Sequence, residues 1–276
     1  MESIAFYIVQ YILIIVAIFT NLLGIYCLYA QKQRKDNQRI FLYALSSCET
    51  LLEVTWIVIW AFEIKPPMKM MNLALSASMG FRFTFYLIML SITLDRLICV
   101  LLHIKYNYYI TNKVVRRVMY GCYFAGLTLI ITIYLGNPFV LFVGVSYALV
   151  VCDGLVFLTF LFSYAWIGLK LKRHRNDLSQ NQNKRSLRKQ HGIPALIIIS
   201  YIPLYLIPDL LFQFKFSGIE KWIITILWSI AFILDPIIYT FLDQRTRHVA
   251  LNLFKCCSSK INTTGVYCNA NLDSKV

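Results

Sequence analysis

Seven charged side chains interrupt otherwise apolar stretches of this 276-residue chain: Glu49, Glu53, Arg82, Asp95, Arg96, Asp153 and Asp235. Charge in such surroundings is expensive. An arginine at the centre of a membrane helix costs roughly 2.5–3.5 kcal/mol on insertion scales, so such groups face a bundle interior and mark function. The chemistry open to them is ion pairing, proton holding or gripping a polar ligand. Arg82 lies 14 residues before Arg96, about four helical turns, and its expected partner is Asp153, with Glu53 second. Other chemistries lack their residues. His103, His174, His191 and His248 all fall near basic segments outside the apolar runs, so an intramembrane zinc hydrolase has no ligand set. No nucleophile stands with a base either. We expect no metal, no cofactor and no enzymatic reaction.

These charges need elements to hold them. Hydrophobic residues make up 59% of the chain and charged ones only 14%, against roughly 45–50% apolar in an average soluble domain. That excludes disorder and leaves too few polar residues to cover a globule. Apolar runs cover Ile4–Ala30, Ile40–Phe62, about Leu73–Leu102, Ile193–Phe212 and Trp222–Leu242. The first is too long for a signal-peptide core and follows Glu2 rather than a basic start, so it reads as a retained helix. A further stretch, Val118–Leu169, has one charge, Asp153. As one helix it would be roughly 78 Å long, far beyond a ~30 Å hydrocarbon core. Gly136-Asn137-Pro138 is a ready turn, so two helices are predicted there. The expected fold is an all-α membrane protein, a seven-transmembrane helix bundle.

Charge sets the expected orientation. Segments 31–39, 96–117, 170–189 and the tail after Leu242 hold 4, 5, 8 and 5 Lys or Arg, 22 of the 27, while the alternate connections hold Lys65, Lys69, Lys215 and Lys221. Basic loops stay cytoplasmic, which puts the N-terminus outside and the C-terminus inside a plasma membrane. The net charge of +14 is then a feature for anionic membrane lipids and cytoplasmic partners, and nucleic acid is not expected. Cys27, Cys48, Cys99, Cys122 and Cys152 fall in or beside helices. They read as buried thiols, with no external disulfide framework.

Five short motifs, in order along the helices, carry a family resemblance. Ser91-Ile-Thr-Leu-Asp95-Arg96-Leu97, followed by Lys105-Tyr106, resembles the Asp-Arg-Tyr end of helix three in rhodopsin-like (class A) G protein-coupled receptors. Asp235-Pro236-Ile237-Ile238-Tyr239 resembles their Asn-Pro-x-x-Tyr motif in its Asp variant. Thr20-Asn21 and Leu45-Ser-Ser-Cys-Glu49 fit the first two helices, and Ser200-Tyr201-Ile202-Pro203 is similar to the Cys-Trp-x-Pro switch. The basic piece Arg245–Lys255 resembles the short amphipathic helix on the inner leaflet. The very short N-terminus, short loops and abundance of Phe and Tyr are similar to nematode chemosensory serpentine receptors, the Srsx group in particular. The pattern also departs from the family. The helix-four Trp, the helix-five Pro and the disulfide at the top of helix three are missing. Helix seven has no Lys for retinal, and Ser78 stands where amine receptors carry an Asp.

The resemblance implies a receptor passing the binding of a small extracellular ligand to a heterotrimeric G protein. Residues 1–255 would form the receptor domain and residues 256–276 a cytoplasmic tail. Coupling and switching fall to Asp95, Arg96, Tyr164, Tyr201, Pro203, Asp235, Pro236 and Tyr239. A polar network joins Asn21, Glu49 and Asp235. Two carboxylates close together in low dielectric do not both ionise easily, so a shared proton is expected there. Phe81 and Phe85 replace oxygen ligands of relatives, which disfavours sodium. Ligand contacts are expected from Ser78, Arg82, Asp153, Tyr201, Tyr205 and Thr225, among helices three, five, six and seven. Cys256-Cys257 resembles a palmitoylation site. The rival reading is a secondary transporter with Arg82, Glu49, Glu53 and Asp153 along a charged path, although the internal repeats of many transporters are not visible in the sequence.

Overall fold

A computed structural model of the chain describes residues 4–30, 37–61, 68–102, 105–136, 138–177, 207–208, 219–242 and 246–252. The described residues contain helices and no strand: α1 (Ile4–Ala30), α2 (Asn37–Ala61), α3 (Met68–Leu102), α4 (Tyr106–Tyr109), α5 (Asn112–Leu135), α6 (Pro138–Asp177) and α7 (Ile219–Leu242). Residues 246–252 are also helical, within the stretch predicted as an amphipathic piece. Five helices are long and apolar enough to cross a membrane, through Ile8–Ala30, Asn37–Ile59, Lys69–Cys99, Asn112–Leu135 and Tyr147–Trp166. α7 holds a shorter apolar segment, Ile223–Ile238. Five helices of this length and composition mark a multi-pass membrane protein. Of the run predicted at 193–212, only residues 207–208 are among the described residues.

Polarity is distributed as a lipid solvent demands. On α1, Ile8, Ile12, Ile15, Phe19, Leu22, Tyr26 and Tyr29 are all at least half exposed, spaced by alternating fours and threes along one helical face. In water such a stripe would need a partner. Inside, Gln10, Asn21, Glu49, Glu53, Asp153 and Asp235 are buried. α3 is the central helix, packed against α2, α5 and α6, while α1 packs on α2 and α7.

Packing of α3 on α5 depends on the absence of two side chains. A Cβ on Gly126 would run into the Thr84 hydroxyl and lie 2.8 Å from the Gly80 carbonyl. One on Gly80 would strike Ile130 and lie 2.7 Å from the Gly126 carbonyl. Small residues of this kind let membrane helices approach backbone to backbone.

The break between α5 and α6 falls where predicted, α5 ending at Leu135 and α6 beginning at Pro138. Gly136 donates its N–H to the Thr132 carbonyl at 3.1 Å to close α5. Pro138 opens α6 at a position where its missing N–H costs nothing. Other boundaries differ from expectation. α3 starts at Met68 rather than near Leu73. α6 runs 40 residues to Asp177, past the predicted Leu169, because no proline follows Pro138 until Pro194. One-turn α4 lies inside a segment read as a connecting loop. Of the five cysteines expected to be buried thiols, Cys27, Cys48 and Cys122 are buried, whereas Cys99 and Cys152 are only half-buried.

Candidate functional site

The candidate residues form three groups along the bundle. The first sits toward the C-terminal end of α3, where Asp95 and Arg96 are both buried. Adjacent residues on a helix do not face one another, so Arg96 folds back to reach its neighbour. Its Nε donates to Asp95 Oδ2 at 3.1 Å and its Nη2 to the same oxygen at 2.5 Å. Asp95 Oδ1 accepts the Tyr106 hydroxyl at 2.5 Å. Asn37 Nδ2 then donates to the Tyr106 oxygen at 3.1 Å and to the Ile110 carbonyl at 2.9 Å. One carboxylate thus ties α2, α3 and α4 together. Burial, and next the bond to Asp95, push the Tyr106 hydroxyl above the ordinary phenol range, so it is a donor at neutral pH. Tyr164 of α6 lies within electrostatic reach of Arg96. Tyr239 lies on α7, one turn beyond Asp235.

The second group is midway along the bundle. Asn21, Glu49, Glu53 and Asp235 are essentially fully buried, and Glu49 lies within electrostatic reach of Asp235, Glu53 and Asn21. The predicted network is brought together, with Glu53 added to it. Glu53 therefore neighbours Glu49. Pro236 lies inside α7 and, lacking an N–H, leaves the carbonyl four residues earlier without its helical donor. That carbonyl belongs to Phe232. Asn21 Nδ2 donates to it at 3.0 Å and to the Ala17 carbonyl at 3.1 Å. A second tie joins the same helices, Gln10 Nε2 donating to Ser229 Oγ at 3.1 Å. No three His, Cys, Asp or Glu side chains among the described residues are grouped to hold a metal ion.

The third group surrounds a cavity of about 200 Å³ between α2, α3 and α7. α3 supplies Leu75, Ser78, Met79, Arg82, Phe85 and Tyr86, whose spacing of threes and fours is one helical face. α2 adds Leu52 and Trp56, and α7 adds Trp228 and Phe232. The indoles of Trp56 and Trp228 lie 6.2 Å apart and 34° from parallel. Phe85 meets Phe232 edge to face at 6.3 Å. Arg82 Nε donates to the Tyr86 hydroxyl at 3.0 Å, and its guanidinium carbon lies 4.5 Å from the Trp228 ring centre.

Of the expected ligand residues, Ser78 and Arg82 line this cavity. Asp153 is buried on α6 and acts, with Arg82, on the Tyr86 hydroxyl. Thr225 is half-buried on α7, three residues before Trp228, and neither it nor Asp153 is part of the lining. Tyr201, Pro203, Tyr205, Cys256 and Cys257 lie outside the described residues. Sequence reasoning missed Trp56 and Trp228 as cavity-lining groups, and no signal in the sequence separates them from Trp60, Trp166 and Trp222. No family model matches the chain, and no curated protein matches it.

Proposed function

We propose that this chain is a seven-helix receptor of the rhodopsin-like type, one that converts binding of a small extracellular ligand into activation of a heterotrimeric G protein. The observation that carries the reading is the buried Asp95–Arg96 pair, latched by Tyr106 and Asn37. It lies along α3 from a ligand-sized cavity, with Pro236 of α7 between them. Arg96 is held at rest by Asp95; release lets it meet the partner and the Tyr164 and Tyr239 hydroxyls. A ligand that prefers the released conformation shifts the equilibrium toward it.

The finer features follow from the same reading. The sixth span is the apolar run 193–212, with Tyr201 and Pro203 as its switch. The N-terminus faces outward and the C-terminus faces the cytosol of the plasma membrane. Helical residues 246–252 lie on the inner leaflet, and Cys256 and Cys257 carry palmitate. The cue is chemosensory, as in the nematode receptors the motifs resemble. In membranes containing a panel of Gα subunits, Arg96→Ala should abolish stimulated GTP exchange while surface expression stays within a few-fold. Unchanged exchange in expressed protein would remove the main support.

The row of Glu49, Glu53 and Asp235 favours a second reading, a secondary transporter moving protons or cations past these carboxylates. Radiolabel uptake without GTP exchange would establish it.

A further inference from the structure

The cavity between α2, α3 and α7 is selective in size, wall and charge. We infer that it binds a small apolar anion: a carboxylate on one aromatic ring or a short aliphatic chain, with its charge on Arg82. This deepens the receptor reading by naming the ligand class, and rests on that reading for the consequence of binding.

Size limits the ligand first. An apolar cavity of about 150 Å³ lodges a benzene molecule, so about 200 Å³ takes one ring or a chain of roughly six carbons with a small head group. Peptides, nucleotides and sterols are too large. The walls then specify the body of the ligand. The tilted indoles of Trp56 and Trp228 and the edge-to-face rings of Phe85 and Phe232 offer flat apolar faces. Such faces suit a ring or a methylene chain.

Charge specifies the head group. Arg82 is the one charged side chain among the ten lining residues; the other polar groups there are Ser78, the Tyr86 hydroxyl and the indole N–H groups. Among the described residues no carboxylate lines the cavity, so its wall offers an ammonium group no counter-ion. A guanidinium fork matches a carboxylate in two parallel hydrogen bonds. It has five N–H donors, enough to serve Tyr86, a protein carboxylate such as Asp153 and a ligand together. The Tyr86 bond and the Trp228 ring also hold the Arg82 side chain in one orientation, which reduces the ordering cost when a ligand arrives.

The test uses full-length protein in lipid nanodiscs and three probes of one shape: phenylacetate, neutral phenylacetamide and cationic phenethylamine. Phenylacetate should raise the melting temperature and bind at least about ten-fold tighter than the amide, as expected for a charge-assisted bond; the amine should not bind. Arg82→Gln should remove that ten-fold advantage of the acid over the amide. Should that variant fail to fold, Ser78→Phe, which fills the cavity, should abolish phenylacetate binding. Amide or amine binding as tight as the acid, or acid affinity untouched by either variant, overturns the inference, as does absence of binding by both phenylacetate and hexanoate. GTP exchange is read separately. Phenylacetate binding that stimulates no Gα in the panel leaves the ligand class standing and overturns the receptor reading. Exchange stimulated by the amine alone overturns the ligand class and keeps the receptor.

Discussion

Tyr106 holds more of the latch than its place in a loop would suggest. Its hydroxyl serves Asp95 and receives Asn37, so Tyr106→Phe strips a buried carboxylate of one donor and an amide of one acceptor. A hydrogen bond to a charged group contributes about 1.5–3 kcal/mol. We expect the variant to melt several degrees lower and to show raised basal GTP exchange; unchanged basal exchange would separate Tyr106 from the switch. The pH dependence has a definite sign. A phenol whose folded pKa is raised contributes stability that is fully present below its unfolded value, about 10, and lost as pH rises through the folded value. Between pH 6 and about 9 this group should add no slope to a melting-temperature profile. Asp95 and Arg96 were legible in the sequence because a charged pair ending an apolar run is unusual. The role of Tyr106 was not, since it requires the chain to turn back through α4 and bring residue 106 under residue 95.

Between α1 and α7 the decisive contact is a repair. The Asn21 amide fills the hydrogen bond that Pro236 denies to Phe232. Asn21→Leu should destabilise by about 1–3 kcal/mol, the cost of a buried unsatisfied carbonyl. In a Pro236→Ala background the helix supplies its own donor, so the same substitution should cost much less. The coupling energy of this double-mutant cycle, measured by denaturation in detergent, should be at least about 1 kcal/mol; a value near zero would dissolve the link. Both residues were readable as family-like motifs. Their partnership was not, because sequence spacing gives no distance across the 211 residues from Asn21 to Phe232. Helix breaks with turn chemistry, such as Gly136-Asn137-Pro138, were legible. The start of α3 and the far end of α6 were not, since apolar periodicity fades into polar helix there without a start or stop signal.

Across the whole molecule, cavity, carboxylates and latch lie in series along α3. The α3 face from Leu75 to Tyr86 that carries Ser78 and Arg82 lines the cavity and Asp95-Arg96 the latch, with Glu49, Asp235 and Asn21 on the neighbouring helices between. The sequence placed the ligand among helices three, five, six and seven. The described cavity lies between α2, α3 and α7, and the part of α2 in it comes from packing that the sequence does not spell out. Orientation rests on charge, 22 of 27 basic residues falling in alternate connections. An epitope at the C-terminus should be stained only after cells are permeabilised, and one at the N-terminus without it. Staining of a C-terminal tag on intact cells would reverse the bundle and put the cavity on the cytosolic side.

The contact between Gly80 and Gly126 also decides which parts can move. With each glycine also closed over by one side chain, Thr84 on Gly126 and Ile130 on Gly80, α3 and α5 have little room to slide and form a stator. Gly80 lies one residue past Met79 in the cavity wall, so the fixed joint is beside the cavity. On the receptor reading, displacement begun there would pass through the rotor side of the bundle, where α7 lacks a backbone donor at Pro236 and is held to α1 by the Asn21 and Gln10 amides.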